Sequence, residues 1–408
     1  MNISLLKCIS VVFLFFCSLS SFSFWKWTKV ASLGNGKRFE STSFSLNGKG
    51  YVTCGVDTND NCYNDLWQYD PVFDVWTQKA NLPASYRRAA FGFEINGKGY
   101  IGGGCDDALS SGNLLNDCWM YDPLSNTWVA KSTVPYYSYR FASTSCNGLG
   151  YIIGGASSWS PLSDVYEYNP TSDSWFYKTT FPGLTNSSGG REGAVVTTLN
   201  NKIYFGMGKD DSFFQNDWWE YDPTNNNWLR KADFPASGRI GAFGFAFNNL
   251  IVVGMGSDGG YNSDAWWFDA TANTWNYTCS FSGGGRRSAA SFAIGSVGYM
   301  GTGKSANGSK QDFYKLDASV GINELTNENN LFSVYPNPIT NGIIHITMQS
   351  PLVNASVNIV NLAGQLIHQE KISELTQNII PSYLPAGNYF VSIANAHQLI
   401  ATKKIIVL

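Results

Sequence analysis

Short runs in which apolar and polar residues alternate recur along most of the chain, bounded by Gly, Pro, Asn and Asp. Alternation with a period of two, broken by turn residues, predicts strands rather than helices. One stretch shows the plan of a unit. Residues 89–94 are followed by Asn96-Gly97, then 99–101, a long loop, 118–121, a turn containing Pro123, and 127–131. That is four strands. Asn-Gly at 47–48, 96–97 and 147–148 suits tight hairpins, because both central residues of such turns need positive φ.

The unit repeats. Tryptophans stand at 27, 76, 128, 175, 228 and 275, a period of about fifty residues. Seven residues before five of them lies an aromatic followed by Asp or Asn: Tyr69-Asp70, Tyr121-Asp122, Tyr168-Asn169, Tyr221-Asp222 and Phe268-Asp269. Gly-rich strand ends recur at Cys54-Gly55, Gly103-Gly104, Gly154-Gly155, Met207-Gly208, Met255-Gly256 and Thr302-Gly303. An arginine opens each unit, at Arg38, Arg88, Arg140, Arg191, Arg239 and Arg287.

This pattern resembles the kelch repeat, whose signature is an Arg-led strand, a Gly doublet, Tyr-Asp-Pro, and a Trp seven residues after the Tyr. The resemblance covers residues 24–318 and implies an all-β fold, a six-bladed propeller with one four-stranded blade per unit. The sixth unit has Asn323 where its Trp is due, while Trp27 precedes the first Arg. Closure of the ring by an outermost strand at residues 25–30 follows, which removes a long open edge. The repeated Trp and Tyr are then expected to pack between blades. Trp159 falls outside the repeat, in a loop, and is the candidate exposed aromatic.

Composition narrows the chemistry. Charged residues are 14% of the chain and the formal charge is −3, which argues against a broadly basic nucleic-acid binder. All three histidines, His345, His368 and His397, lie beyond the repeats. A His-ligated metal centre or a Ser-His-Asp triad therefore cannot be built from the propeller alone. Galactose oxidase shares the kelch fold, but its copper site needs histidines, so no such cofactor is expected. Kelch-type sugar mutarotases need acid–base groups instead, and Arg191-Glu192 are the candidates for that alternative.

The first residues read as an export leader: Lys7, a mostly apolar run from 8 to 19, then Ser21-Phe22-Ser23, with cleavage after residue 23. No later run approaches the length of a membrane span. Export permits disulfides, and Cys54 with Cys62 and Cys105 with Cys118 each bracket one loop. The other reading is that these are small buried hydrophobes.

Repeat-type sequence stops near residue 318, and 319–331 is a polar linker. Residues 332–408 carry strand-like runs and read as a small Ig-like β-sandwich. Its motifs are Tyr335-Pro336-Asn337-Pro338, Asn361-Leu362-Ala363-Gly364, Leu384-Pro385-Ala386-Gly387-Asn388-Tyr389 and a terminal Lys403-Lys404-Ile405-Ile406-Val407-Leu408. In that order they look like the type A C-terminal sorting domain of type IX secretion cargo. The resemblance implies a gram-negative bacterium, a partner in the secretion machinery, and delivery to the cell surface or the medium.

Topology gathers the six Arg and the residues before each third strand, Asp65, Asp117, Asp164, Asp217, Asp264 and Asp312, at one end of the channel. They either neutralise one another and stabilise turns, or present a concave ring that suits carboxylate-bearing or polar ligands. Asp57-Thr58-Asn59-Asp60, Asp106-Asp107 and Asp210-Asp211 are acidic loop pairs, none with the spacing of a recognised calcium loop. The expectation is an exported, monomeric binding protein whose Arg/Asp-lined face takes a glycan or an extracellular protein.

Overall fold

The computed structural model of the chain describes residues 24–106, 113–157, 160–183, 189–247, 249–319, 332–340, 342–348, 355–361, 366–372, 374–381, 384–394 and 399–408. The expected leader, most of the linker and Trp159 lie outside these residues. There is no helix among them. The chain divides into two compact units, residues 25–319 and a second containing the C-terminal strands, and each is described by itself.

The first unit holds six four-stranded antiparallel sheets. In blade one the order from the axis outward is Thr42–Leu46, Lys49–Thr53, Leu66–Asp70 and Val75–Lys79. Blade six takes Ala290–Ile294, Val297–Gly301 and Phe313–Ser319 from the end of the unit and Phe24–Val30 from its start. Trp27 of that strand packs edge-on against Phe243 and Phe281 of blade five, at 5.8 and 5.1 Å between ring centres.

The sequence landmarks have local causes. The invariant offset of seven is a hairpin register: Tyr69 faces Trp76, Tyr121 faces Trp128, Tyr168 faces Trp175, Tyr221 faces Trp228 and Phe268 faces Trp275 across neighbouring strands. Ring centres in these pairs lie 4.7–5.1 Å apart. The Asp after the aromatic closes the turn between them, as when Asp70 accepts from the Val72 amide at 3.0 Å. Four of the Trp indoles donate to a carbonyl of the preceding blade or, for Trp76, of the chain leading into blade one: Ala31, Ala80, Ser132 and Ala232. Each Trp thereby ties two segments of the ring together.

Six core clusters occupy the six interfaces between blades. At four interfaces a Phe from the innermost strand of one blade lies over a Gly in the second strand of the next: Phe44 over Gly99, Phe93 over Gly150, Phe245 over Gly298 and Phe292 over Gly50. A Cβ on these glycines would meet the ring at 2.1–2.4 Å. At the other two interfaces the same strand positions hold Thr144 with Ile203 and Thr197 with Ile251. Bulk lost on one side is returned on the other, as close packing requires.

The C-terminal unit is two antiparallel sheets, one of Phe332–Tyr335, Ile344–Met348 and Thr376–Ile379, the other of Leu366–Lys371, Ser356–Asn361, Gly387–Ala394 and Leu399–Val407. Their alternating apolar residues share one core, including Ile346, Val357, Ile359, Val391 and Ile405. Asn337 explains why its motif is tied to the last strand. Its side chain donates to the Lys404 carbonyl and accepts from the Ile406 amide, at 3.0 and 2.9 Å.

Candidate ligand-binding face

At the end of the channel where each unit begins, five arginines occupy one equivalent place: Arg38, Arg87, Arg191, Arg239 and Arg286, all fully buried. Each forms an ion pair with the Asp that precedes the third strand of its blade, at 2.5–2.8 Å: Asp65, Asp117, Asp217, Asp264 and Asp312. Four of them also donate to the carbonyl sixteen residues on, at Cys54, Gly103, Met255 and Thr302. Those carbonyls belong to residues held at φ of 56–60°, so the guanidinium braces a left-handed backbone turn. The next residue, always Gly, donates its amide to the backbone carbonyl of the following blade's arginine, from Gly55 to Arg87 around to Gly303 and Arg38. In blade three that carbonyl belongs to Ser138, so Ser138 stands in the arginine place.

The expected ring of six equivalent arginines is thus corrected. Arg38, Arg191 and Arg239 belong to the buried row, whereas Arg88 and Arg287 lie one residue past it and Arg140 two residues past. The reason is local: Arg87-Arg88 and Arg286-Arg287 are doublets whose first member is buried, and blade three has no arginine in the slot. Asp65, Asp117, Asp217, Asp264 and Asp312 are likewise taken up inside the protein. Burial raises the Asp117 and Asp312 pKa values, but Arg87 and Arg286 outweigh it and hold both below the usual carboxylate range.

A second row surrounds the axis itself. The amides and carbonyls of Glu40, Ala89, Arg140, Gly193, Gly241 and Ser288 close a ring of six backbone hydrogen bonds of 2.7–3.1 Å, one residue per blade. All six residues have φ between 51° and 63°. This collar constricts the channel. Below it the innermost strands enclose a well of about 340 Å³ rich in Ser and Thr. Against the collar lies a smaller cavity of about 130 Å³, bordered by Glu40, Arg140, Arg287 and Ile240.

The side chains of the collar form a chain of charges. Glu40 accepts from Arg88 at 2.5 Å and from Arg140 at 2.9 Å, and Arg140 reaches Glu192 at 2.9 Å. Burial would raise the Glu40 pKa, but Arg140 and Arg88 together hold it down at about 2. Arg140 is 23% exposed and Glu192 14%. Arg287 is half-buried at the cavity edge and, among the described residues, has no ion pair or side-chain hydrogen bond. Tyr86 and Tyr137, the residues before Arg87 and Ser138, and Phe213, whose amide donates to Asp210, are 59–71% exposed. Sequence spacing missed Arg87, Arg286, Glu40 and these aromatics; a second residue in each Arg doublet was the available sign.

The acid–base pair read at Arg191-Glu192 is not assembled, because Arg191 is buried on Asp217 while Glu192 engages Arg140. Neither candidate disulfide forms. Among the described residues Cys54 and Cys118, one member of each candidate bridge, remain thiols, and the Cys118 side chain is packed into the core between blades two and three. The two acidic loops that are described bond inward. Asp57 accepts from the amides of Asn59 and Asn61, and Asp210 from those of Ser212 and Phe213.

A family model described as the KLHDC2/KLHL20/DRC7 Kelch-repeats domain matches residues 79–240, and one described as the Secretion system C-terminal sorting domain matches residues 333–408. Among solved structures the chain is similar to one titled "Structure of YjhT", with a TM-score of 0.58 and 19% identity over 69% of this chain and 95% of that one. At that identity the likeness concerns the fold. No curated protein matches. The chain therefore carries a kelch-repeat β-propeller and a secretion sorting domain, and is exported to the cell surface or secreted. Among the described residues no helix is long and apolar enough to cross a membrane.

Proposed function

We propose that the exported propeller is a binding protein that receives a glycan or an extracellular protein at the arginine-bearing end of its axis, through an anionic or strongly polar group of that ligand. The observation that carries this reading is Arg287. The five buried arginines are each satisfied by a carboxylate, whereas Arg287 borders an open cavity beside Arg140 with no counterion among the described residues. A planar guanidinium in a concavity is suited to a carboxylate or a polar oxygen pair. Tyr86, Tyr137 and Phe213, exposed in loops that lead to the arginine row, offer flat apolar faces on which a sugar ring or a side chain can rest.

Titrating the whole exported chain with sialic acid, related reducing sugars and the strongest hits of a glycan array tests this, with anomer exchange followed by NMR in the same samples. Binding without turnover, weakened about tenfold or more in Arg287→Ala or Arg140→Ala, is the expected outcome, since one charge-assisted contact contributes about 1.5–3 kcal/mol. Catalysed exchange that disappears in Glu192→Gln would instead make the protein a sugar-isomerising enzyme.

A further inference from the structure

Blade three departs from the other five at one place. Elsewhere the Asp before the third strand is bonded from within the blade by its arginine, and in four blades also by an indole, as Trp67, Trp119, Trp219 and Trp266 donate to Asp65, Asp117, Asp217 and Asp264 at 2.8–2.9 Å. Blade three has Ser138 for the arginine and Tyr166 for the tryptophan. Its carboxylate, Asp164, accordingly has no ion pair and no side-chain hydrogen bond among the described residues, and it is not fully buried.

Tyr166, two residues along the same strand, belongs to a row of aromatic rings beside Asp164. The Tyr136 hydroxyl reaches the Gly154 carbonyl at 3.5 Å, in the turn whose equivalents accept arginine N–H groups in other blades. The Tyr136 ring lies 5.3 Å from that of Tyr166, which lies 5.6 Å from that of the exposed Tyr177. Burial raises the pKa values of Tyr136 and Tyr166, and the nearby Asp164 charge raises them further. Neutral phenols beside an uncompensated carboxylate attract cations twice, through the charge and through the ring faces.

We propose that Asp164 with Tyr136, Tyr166 and Tyr177 forms a recognition site for a cationic side chain, the guanidinium or ammonium of a basic residue on an extracellular protein, replacing from outside the arginine that blade three lacks. The site is separate from the axial cavity. It is therefore tested separately.

The probes are N-acetyl-arginine amide and N-acetyl-lysine amide, with N-acetyl-citrulline amide as the neutral isostere, titrated into the whole chain and read by saturation-transfer NMR. Saturable binding of the two cations in the millimolar range, absent for citrulline, is expected. Asp164→Asn should raise Kd about tenfold or more and Tyr166→Ala about threefold, while Arg287→Ala leaves it unchanged. Because the Asp164 side chain has no ion pair or hydrogen bond among the described residues, its Asn variant should melt as the parent does. Should it melt lower, Tyr177→Ala, an exposed change, must still weaken binding. Equal binding of citrulline, no saturable binding, or affinity unchanged in both Asp164→Asn and Tyr177→Ala would overturn the proposal.

Discussion

Glu40 stands at φ 53° in the collar, bonds through its backbone to blades six and two, and through its carboxylate to Arg88 and Arg140 of blades two and three. Replacing it by Gln removes the carboxylate that Arg88 and Arg140 share and leaves Arg140 its ion pair with Glu192, so a loss of about 3 kcal/mol is expected in urea unfolding at pH 7. The pH dependence follows from the direction of its shift. A carboxyl lowered from 4.5 to about 2 stabilises the fold fully above about pH 5, and that contribution is lost as pH falls toward 2, where the folded state must also take up the proton. Wild type should thus lose melting temperature steeply between pH 5 and 2.5, and Glu40→Gln less steeply; parallel curves would count against the role given to Glu40. Packing makes a second prediction at this scale. Gly99→Ala sets a Cβ against the Phe44 ring and should destabilise by about 1–3 kcal/mol, measured by thermal or urea unfolding.

At the scale of the element, strands, turns and the aromatic pairs were legible because each depends on neighbours in one hairpin, where spacing in sequence is spacing in space. The arginine row was only half legible. Its place is defined by a backbone bond from a glycine of the preceding blade, such as Gly55 to Arg87 or Gly104 to Ser138, and nothing local distinguishes Arg87 from Arg88 or marks Ser138 as the occupant of blade three. Asp164 was legible as a member of the Asp set, but its lack of an arginine partner, like the exposed aromatics, was not, for the same reason. The outermost strand of blade six invites a direct test: deleting residues 24–31 removes Trp27 from Phe243 and Phe281 and opens the sheet edge beside Phe313–Ser319. A sharp fall in the unfolding midpoint, or loss of soluble protein, is expected, and an unaltered melting curve would contradict it.

For the whole molecule, delivery belongs to the C-terminal unit by its family match, and recognition is proposed for the propeller. A chain ending at residue 320 should fold and melt as a propeller yet fail to reach the cell surface or the medium, which fractionation of expressing cells would show; normal delivery would refute the role of the C-terminal unit. Recognition turns on whether buried and axial arginines do different work. Arg239→Ala leaves Asp264 without its ion pair and removes a ring contact with Phe234, so it should lower stability by about 3–5 kcal/mol. Arg287→Ala breaks no internal bond among the described residues. Measuring both variants in one ligand titration, with melting curves alongside, is the most direct test of the account. It predicts that Arg287→Ala melts as wild type but binds about tenfold or more weakly, whereas Arg239→Ala melts lower; if Arg287→Ala and Arg140→Ala both bind as wild type does, the ligand does not bind at the axis and the account is wrong.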